Sequence, residues 1–100
     1  MSRHDTETTT RRRVARLVVV HGRVQGVFFR DTCRQRAQEN GVAGWVRNEH
    51  DGTVRALFEG EPAAVDRLVS WVHQGPRRAV VERVEVEPVQ PSDLTGFQVR

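Results

Sequence analysis

The sequence predicts an α+β domain in which two helices cover one face of an antiparallel sheet. Three observations support this prediction: a strand–helix–strand pattern that occurs twice, a hairpin signal between the two copies, and a length of only 100 residues. A chain of this size has room for one small hydrophobic core. Two split strand–helix–strand units in this order form a ferredoxin-like βαββαβ sandwich, here with a short additional C-terminal strand.

The N-terminal segment differs in composition from the rest of the chain. Residues 1–13 are rich in threonine and charge and show no hydrophobic period, so we predict that they form a disordered tail. The alternative role of this tail is an electrostatic tether for an acidic partner. The folded domain is predicted to span residues 14–100. Its first strand is the apolar run Val14–Val20, which is typical of a strand inside a sheet.

Both helices are predicted from apolar residues that recur on one face. In the first helix, Phe29, Cys33 and Ala37 recur every four residues. Gly41 follows Asn40 as a typical signal for the end of this helix. The second helix begins at a proline and ends before a Gly–Pro pair. Its apolar residues are Val65, Leu68, Val69 and Val72.

The remaining strands are predicted from alternation and turn residues. Segments 43–48 and 53–59 are two strands joined by a loop that contains an Asp–Gly pair, which is a hairpin signal. A half-exposed strand over residues 83–87 follows the second helix and is expected to end at Pro88. Residues 97–99 form the last short strand, and the pattern leaves open which edge of the sheet it joins.

The charge distribution argues against a nucleic-acid partner. All sixteen basic residues are arginines, and the formal net charge is +3. The tail contributes +2 of this charge, which leaves twelve arginines against eleven acidic residues in the folded domain. Nucleic-acid binding needs a concentrated basic face, and a near-neutral domain is a poor source of one.

Residue usage excludes several kinds of site. The single cysteine, Cys33, allows neither an internal disulfide nor a cysteine-rich zinc site, and we interpret it as a small core residue. The four histidines are dispersed without metal-ligand spacing, so we expect no metal and no cofactor. No apolar run approaches the roughly 20 residues of a membrane span, and the N-terminus lacks a secretory signal. We therefore expect a cytoplasmic protein without a membrane partner.

The stretch from Gly22 to Arg30 joins the first strand to the first helix. Gly22 and Gly26 permit a tight bend in which successive backbone N–H groups approach a ligand without interference from a Cβ atom. Consecutive amides in such a turn favour an anion, as does the N-terminus of the following helix. Arg30 falls in the first turn of that helix, where a guanidinium can hold a phosphate through two parallel hydrogen bonds. The pattern therefore predicts backbone amides and an arginine that face a phosphate.

Two motifs in this chain resemble those of the acylphosphatase family. The first is the glycine-bounded stretch Gly22–Arg30, with Val24, Gln25, Gly26 and Val27 inside it. The second motif consists of Gly44, Trp45, Val46, Arg47 and Asn48, followed by Asp51, Gly52, Thr53 and Val54. The resemblance covers residues 14–100 and implies the same ferredoxin-like fold that the pattern predicts.

The resemblance implies an acylphosphatase, which hydrolyses the carboxyl–phosphate bond of small acyl phosphates. In the resembled family the arginine binds the phosphate and the asparagine orients the attacking water, and by motif position these roles fall to Arg30 and Asn48. Further phosphate ligands are expected to be the backbone amides of Arg23, Val24, Gln25, Gly26 and Val27. Inorganic phosphate is then the product and a competitive ligand.

Such a reaction needs little else from the protein. The leaving group is a weakly basic carboxylate, and phosphoryl transfer requires mainly positioning and charge stabilisation. We therefore expect a metal-independent hydrolase that acts as a monomer, with its natural acyl group left open by the sequence.

Two alternatives to the hydrolase stay open at this point. A non-catalytic anion-binding or regulatory module of the same fold is disfavoured because both Arg30 and Asn48 are present. A ferredoxin-like RNA-binding domain needs exposed aromatic residues on its central strands, whereas this chain has no tyrosine and only 6% aromatic residues. His21 is a weaker candidate for a general base, and we interpret it as a histidine at the end of a strand.

Overall fold

The observed order of helices and strands matches the predicted order. The computed structural model of the chain describes residues 12–100. Its strands are β1 (Val14–Arg23), β2 (Ala43–Asn48), β3 (Val54–Gly60), β4 (Val80–Val89) and β5 (Phe97–Val99), and its helices are α1 (Phe29–Glu39) and α2 (Pro62–Val72). The strands form one sheet in the order β4–β1–β3–β2–β5. The predicted α+β, ferredoxin-like fold with a short terminal strand is confirmed.

Strand direction explains where the last strand pairs. Both β1 and β2 are antiparallel to β3, so β1 and β2 run in the same direction. β4 is antiparallel to β1, and one reversal of the chain after β4 gives β5 the direction of β2. β5 accordingly pairs with β2 in parallel, from Gly44↔Phe97 to Val46↔Val99. The sheet is therefore mixed, whereas the sequence predicted a purely antiparallel one.

The hydrophobic core lies between the two helices and one face of the sheet. Alternate residues of β1 and β3 point to this face, where Val18 is opposite Ala56 and Val20 is opposite Val54. The helices contribute Phe29, Cys33, Ala37, Ala64, Val65, Leu68, Trp71 and Val72. Burial of each large apolar side chain contributes roughly 1.5–3 kcal/mol to folding. Neither α1 nor α2 is long and apolar enough to cross a membrane.

Cys33 is a structural residue of this core. Its side chain is fully buried on α1, and burial raises the pKa of its thiol. A protonated and inaccessible thiol does not act as a nucleophile at neutral pH, since the thiolate is the reactive form. The interpretation of Cys33 as a small core residue is confirmed.

The fourth strand continues through a proline that was expected to end it. β4 extends to Val89, and Pro88 is opposite Arg16 of β1. The expectation was wrong because β4 is an edge strand of the sheet. Alternate N–H groups of an edge strand face solvent, so a residue without an N–H is tolerated there.

A buried carboxylate holds the segment that follows β4. Glu59 of β3 is fully buried, and its carboxylate accepts hydrogen bonds from the backbone N–H groups of Ser92 at 3.0 Å and Leu94 at 3.1 Å. Arg13 Nη2 donates a third hydrogen bond at 3.1 Å. Burial alone would raise the pKa of Glu59, but the three hydrogen bonds outweigh it and hold the pKa below its usual range.

The predicted disordered tail overlaps only partly with the described residues. Arg13, which the prediction assigned to the tail, contacts the domain through Glu59 and through the backbone carbonyl of Leu94. The disorder predicted for residues 1–11 lies outside the described residues and stays a prediction.

We expect Glu59→Gln to lower the free energy of unfolding at pH 7 by about 1.5–3 kcal/mol, the range for hydrogen bonds to charged groups. Because the folded pKa is lowered, the stability that ionised Glu59 contributes is present above its unfolded pKa of about 4.3. That contribution is lost as the pH falls through the lower, folded pKa. Urea unfolding of both proteins at pH 7 and near pH 3 should show the difference shrinking in acid. A difference that stays constant over this range would contradict the assignment.

Candidate active site

The loop between β1 and α1, residues 24–28, carries a series of unpaired backbone N–H groups. Within residues 12–100, none of the five amides of this loop donates a hydrogen bond to the protein, and α1 has no side-chain N-cap. Two loop residues have positive φ angles, Gly26 at 74° and Phe28 at 63°. Alternation of left- and right-handed backbone brings successive amides to one side, and a helix N-terminus adds positive potential. The loop has the backbone features of an anion site.

The loop begins later in the chain than the sequence predicted. Gly22 and Arg23 belong to β1, where Arg23 is opposite Val80 and a β-bulge separates His21 from Gly22. Gly22 has a φ of 129°, and a Cβ atom there would lie 2.1 Å from the carbonyl oxygen of Val80. Gly22 is therefore needed for the close approach of β4 and not for the bend of the loop. The Arg23 side chain is exposed.

The side chain of Gln25 ties the loop to the hairpin between β2 and β3. Its Nε2 atom donates hydrogen bonds to the backbone carbonyls of Glu49 at 2.8 Å and Thr53 at 2.9 Å. The sequence predicts a role only for the backbone amide of Gln25 and gives no sign of this link. No local pattern reveals it, because the two acceptors lie 24 and 28 residues further along the chain.

Asp51 gives the hairpin its shape. Its Oδ1 atom accepts hydrogen bonds from the hydroxyl of Thr53 at 2.6 Å and from the backbone N–H of Thr53 at 3.0 Å. The side-chain hydrogen bond from Thr53, followed by the backbone one, lowers the pKa of Asp51. This turn presents the carbonyl of Thr53 to Gln25, so the second motif supports the first across the sheet.

Arg30 lies in the first turn of α1, next to the end of β5. Its Nη1 atom donates a hydrogen bond to the backbone carbonyl oxygen of Arg100 at 3.1 Å. The backbone N–H of Arg100 in turn donates to the carbonyl of Val46 in β2 at 2.8 Å. Within residues 12–100 no Asp or Glu side chain forms an ion pair with Arg30. A guanidinium has five N–H donors, so most of its donors stay available for a ligand.

Asn48 is the last residue of β2 and its side chain is exposed. It precedes Glu49, which accepts the hydrogen bond from Gln25, and it follows Val46 by two residues, a separation of about 7 Å along a strand. The link from the loop ends at the residue after Asn48, and the link from Arg30 reaches β2 two residues before it. Both the β1–α1 loop and Arg30 are therefore tied to the end of β2 on which Asn48 lies.

His21, near the end of β1, contacts side chains of the neighbouring strand β4. Its Nε2 atom lies 3.4 Å from Oε1 of Glu85 and 3.2 Å from Nη2 of Arg83, both in β4. This position agrees with the interpretation of His21 as a strand-end histidine. Over residues 12–100, no three His, Cys, Asp or Glu side chains lie close enough to form a metal site.

Comparison with known proteins identifies the family to which this chain belongs. The acylphosphatase family model matches residues 16–99 of the chain. The chain belongs to the acylphosphatase family. It is 61% identical over 84 residues to an acylphosphatase of Rubrobacter xylanophilus, an alignment that covers 83% of this chain and 76% of that protein.

Solved structures of family members have the same fold. An acylphosphatase from Coxiella burnetii superposes with a TM-score of 0.85 at 38% identity, over 88% of this chain and 93% of that one. An acylphosphatase from Bacillus subtilis gives a TM-score of 0.83 at 32% identity, over 87% and 98% of the two chains. The resemblance that the two sequence motifs indicated is confirmed, and the family is one of acid-anhydride hydrolases.

The link from the loop to the hairpin can be tested through stability. We expect Gln25→Ala to lower the free energy of unfolding by about 1–2 kcal/mol, because the carbonyls of Glu49 and Thr53 each lose a hydrogen bond from an uncharged amide. Gln98→Ala is the matched control, since Gln98 is an exposed glutamine of β5. Urea denaturation measures both variants. Equal stability of Gln25→Ala and Gln98→Ala would show that the link contributes nothing.

Proposed function

We propose that this chain is an acylphosphatase that hydrolyses the carboxyl–phosphate bond of small acyl phosphates to a carboxylate and inorganic phosphate. The observation that carries the proposal is the Gln25 link, because it holds the unpaired amides of the loop beside Asn48. In the proposed site, the loop offers N–H donors to a phosphate, and Asn48 offers a carboxamide that can bind a water.

In this mechanism the phosphate is bound by the backbone amides of residues 24–27 and by Arg30. These donors would contact the nonbridging oxygens, on which negative charge is concentrated during the transfer. They are held in position by the fold, so they need little reorganisation when the substrate reacts. The amide of Arg23, also predicted as a ligand, belongs to the end of β1 and is the most peripheral member of this set.

Asn48 would orient the attacking water. A carboxamide has an acceptor oxygen and two N–H donors, so its oxygen can accept a hydrogen bond from a water and leave a lone pair of that water aimed at phosphorus. The proton of the water passes to an oxygen of the substrate's phosphate, as His21 is engaged with β4. The P–O bond to the carboxylate breaks as the new P–O bond forms, and the carboxylate leaves without protonation.

The proposed reaction needs no metal ion. Arg30 and the loop amides supply the positive potential that a divalent cation supplies in other phosphoryl-transfer sites. Inorganic phosphate is both product and competitive ligand in this scheme. We further propose that the protein acts as a monomer in the cytoplasm.

The two side-chain roles can be tested with benzoyl phosphate as substrate. Arg30→Ala and Asn48→Ala should each lower kcat/KM by roughly 100-fold or more, because removal of one preorganised donor costs about 3 kcal/mol in the transition state. Arg34→Ala is the control, an exposed arginine on the same helix as Arg30. Circular dichroism checks that each variant is folded. Near-wild-type turnover in either site variant would refute the role of that residue.

Metal independence makes a separate prediction. Turnover of benzoyl phosphate should be unchanged in excess chelator, while inorganic phosphate should raise the apparent KM without changing kcat. Loss of activity on chelation would contradict the metal-free mechanism. Phosphate binding without any turnover would instead indicate a non-catalytic anion-binding module.

A further inference from the structure

An open cleft of about 810 Å³ lies beside the β1–α1 loop, between α1, the end of α2 and residues 74–79. The residues that determine its character are Val27, Phe28, Trp71, Arg36, Arg77 and Arg78. Val27 and Phe28 belong to the loop itself, so the cleft begins where the proposed phosphate site ends. The cleft itself has no role in the proposed mechanism.

The cleft has an apolar floor. Trp71 is 9% exposed and its ring centroid lies 5.3 Å from that of Phe29, the first residue of α1. By contrast, the side chain of Phe28 is 73% exposed, which is unusual for a phenylalanine in a small domain. An apolar floor with an exposed aromatic at its mouth suits the hydrocarbon part of a small ligand.

The far wall of the cleft is firmly packed. Gly75 has a φ of 70°, and a Cβ atom there would lie 2.9 Å from Cε2 of Phe29. The N–H of Gly75 donates to the carbonyl of Trp71 at 2.8 Å, and that of Ala79 donates to Pro76 at 2.9 Å. The wall therefore exists before a ligand arrives.

All the charged side chains that line the cleft are basic. Arg36, Arg77 and Arg78 line it, and no lining residue is acidic. The guanidinium of Arg36 lies 5.7 Å from the centroid of the Trp71 ring. The resulting cation–π attraction holds Arg36 over the floor of the cleft. Within residues 12–100, none of these three arginines forms an ion pair with a carboxylate.

The direction of the reaction relates this cleft to the substrate. In-line displacement puts the attacking water and the leaving group on opposite sides of phosphorus. The proposed water lies on the β2 side, where Gln25 and Arg30 contact Glu49 and Arg100. The leaving carboxylate then points away from β2, and the cleft that Val27 and Phe28 line is an open space next to the loop that could receive it.

We propose that this cleft binds the acyl part of the substrate and selects acyl phosphates whose acyl group carries a second anionic group. The hydrocarbon part of the acyl group packs on Trp71 and Phe28, and its distal carboxylate or phosphate pairs with Arg77 and Arg78. This inference rests on the proposed hydrolysis, because the direction of the leaving group follows from in-line attack.

The test compares two rigid substrates that differ in one charge, 4-carboxybenzoyl phosphate and 4-methylbenzoyl phosphate. The measured quantity is the ratio of kcat/KM for the carboxylated substrate to that for the methyl substrate, in the wild type and in the double variant Arg77→Ala with Arg78→Ala. We expect the ratio to fall about tenfold in the double variant, as for loss of a charge-assisted hydrogen bond. It should also fall with added salt in the wild type, because exposed charges are screened.

Arg34→Ala with Arg67→Ala is the control, since it removes two exposed arginines that do not line this cleft and should leave the ratio unchanged. An unchanged ratio in the cleft variant, or an equal fall in the control, would overturn the inference while leaving the proposed hydrolysis intact. Failure of the wild type to hydrolyse either substrate would overturn the proposed hydrolysis and this inference together.

Discussion

The two hydrogen bonds from the Gln25 side chain to the carbonyls of Glu49 and Thr53 are the contact on which the site depends. β1 and β2 are not neighbours, since β3 lies between them, and two strand spacings of about 4.8 Å separate them. The loop after β1 must therefore reach across β3 to meet the end of β2. Gln25 makes that contact, which accounts for a glutamine next to Gly26 in this loop.

A loop with unpaired amides and positive φ angles is intrinsically costly, and the core on either side holds it in place. Val24, the first residue of the loop, and Phe29, the residue after it, are 1% and 2% exposed. A non-glycine residue in the left-handed region, as Phe28 is, costs of order 1–3 kcal/mol. Apolar burial of Val24 and Phe29 offsets that cost. The fold thereby keeps a set of donors that no acceptor within residues 12–100 uses.

Much of the fold and part of the site could be predicted from the sequence. The buried stripe of α1 follows from the spacing of Phe29, Cys33 and Ala37, and the hairpin follows from its Asp–Gly pair. These features are local, so a short window of sequence contains them. The site motifs likewise indicate an anion loop, with Arg30 and Asn48 as its side chains. The contact between this loop and the end of β2, by contrast, depends on β1 and β2 running in the same direction.

What the sequence alone determined is the order of elements, the core stripes and the family. Only the tertiary structure decided that Pro88 is harmless on an edge strand, that Glu59 is a buried acceptor for the segment before β5, and that three arginines line a cleft beside the loop. The physical reason is the separation along the chain of the residues that interact. Periodicity and turn chemistry act between residues a few positions apart, whereas strand neighbours, buried hydrogen bonds and clefts are made by residues distant in the chain.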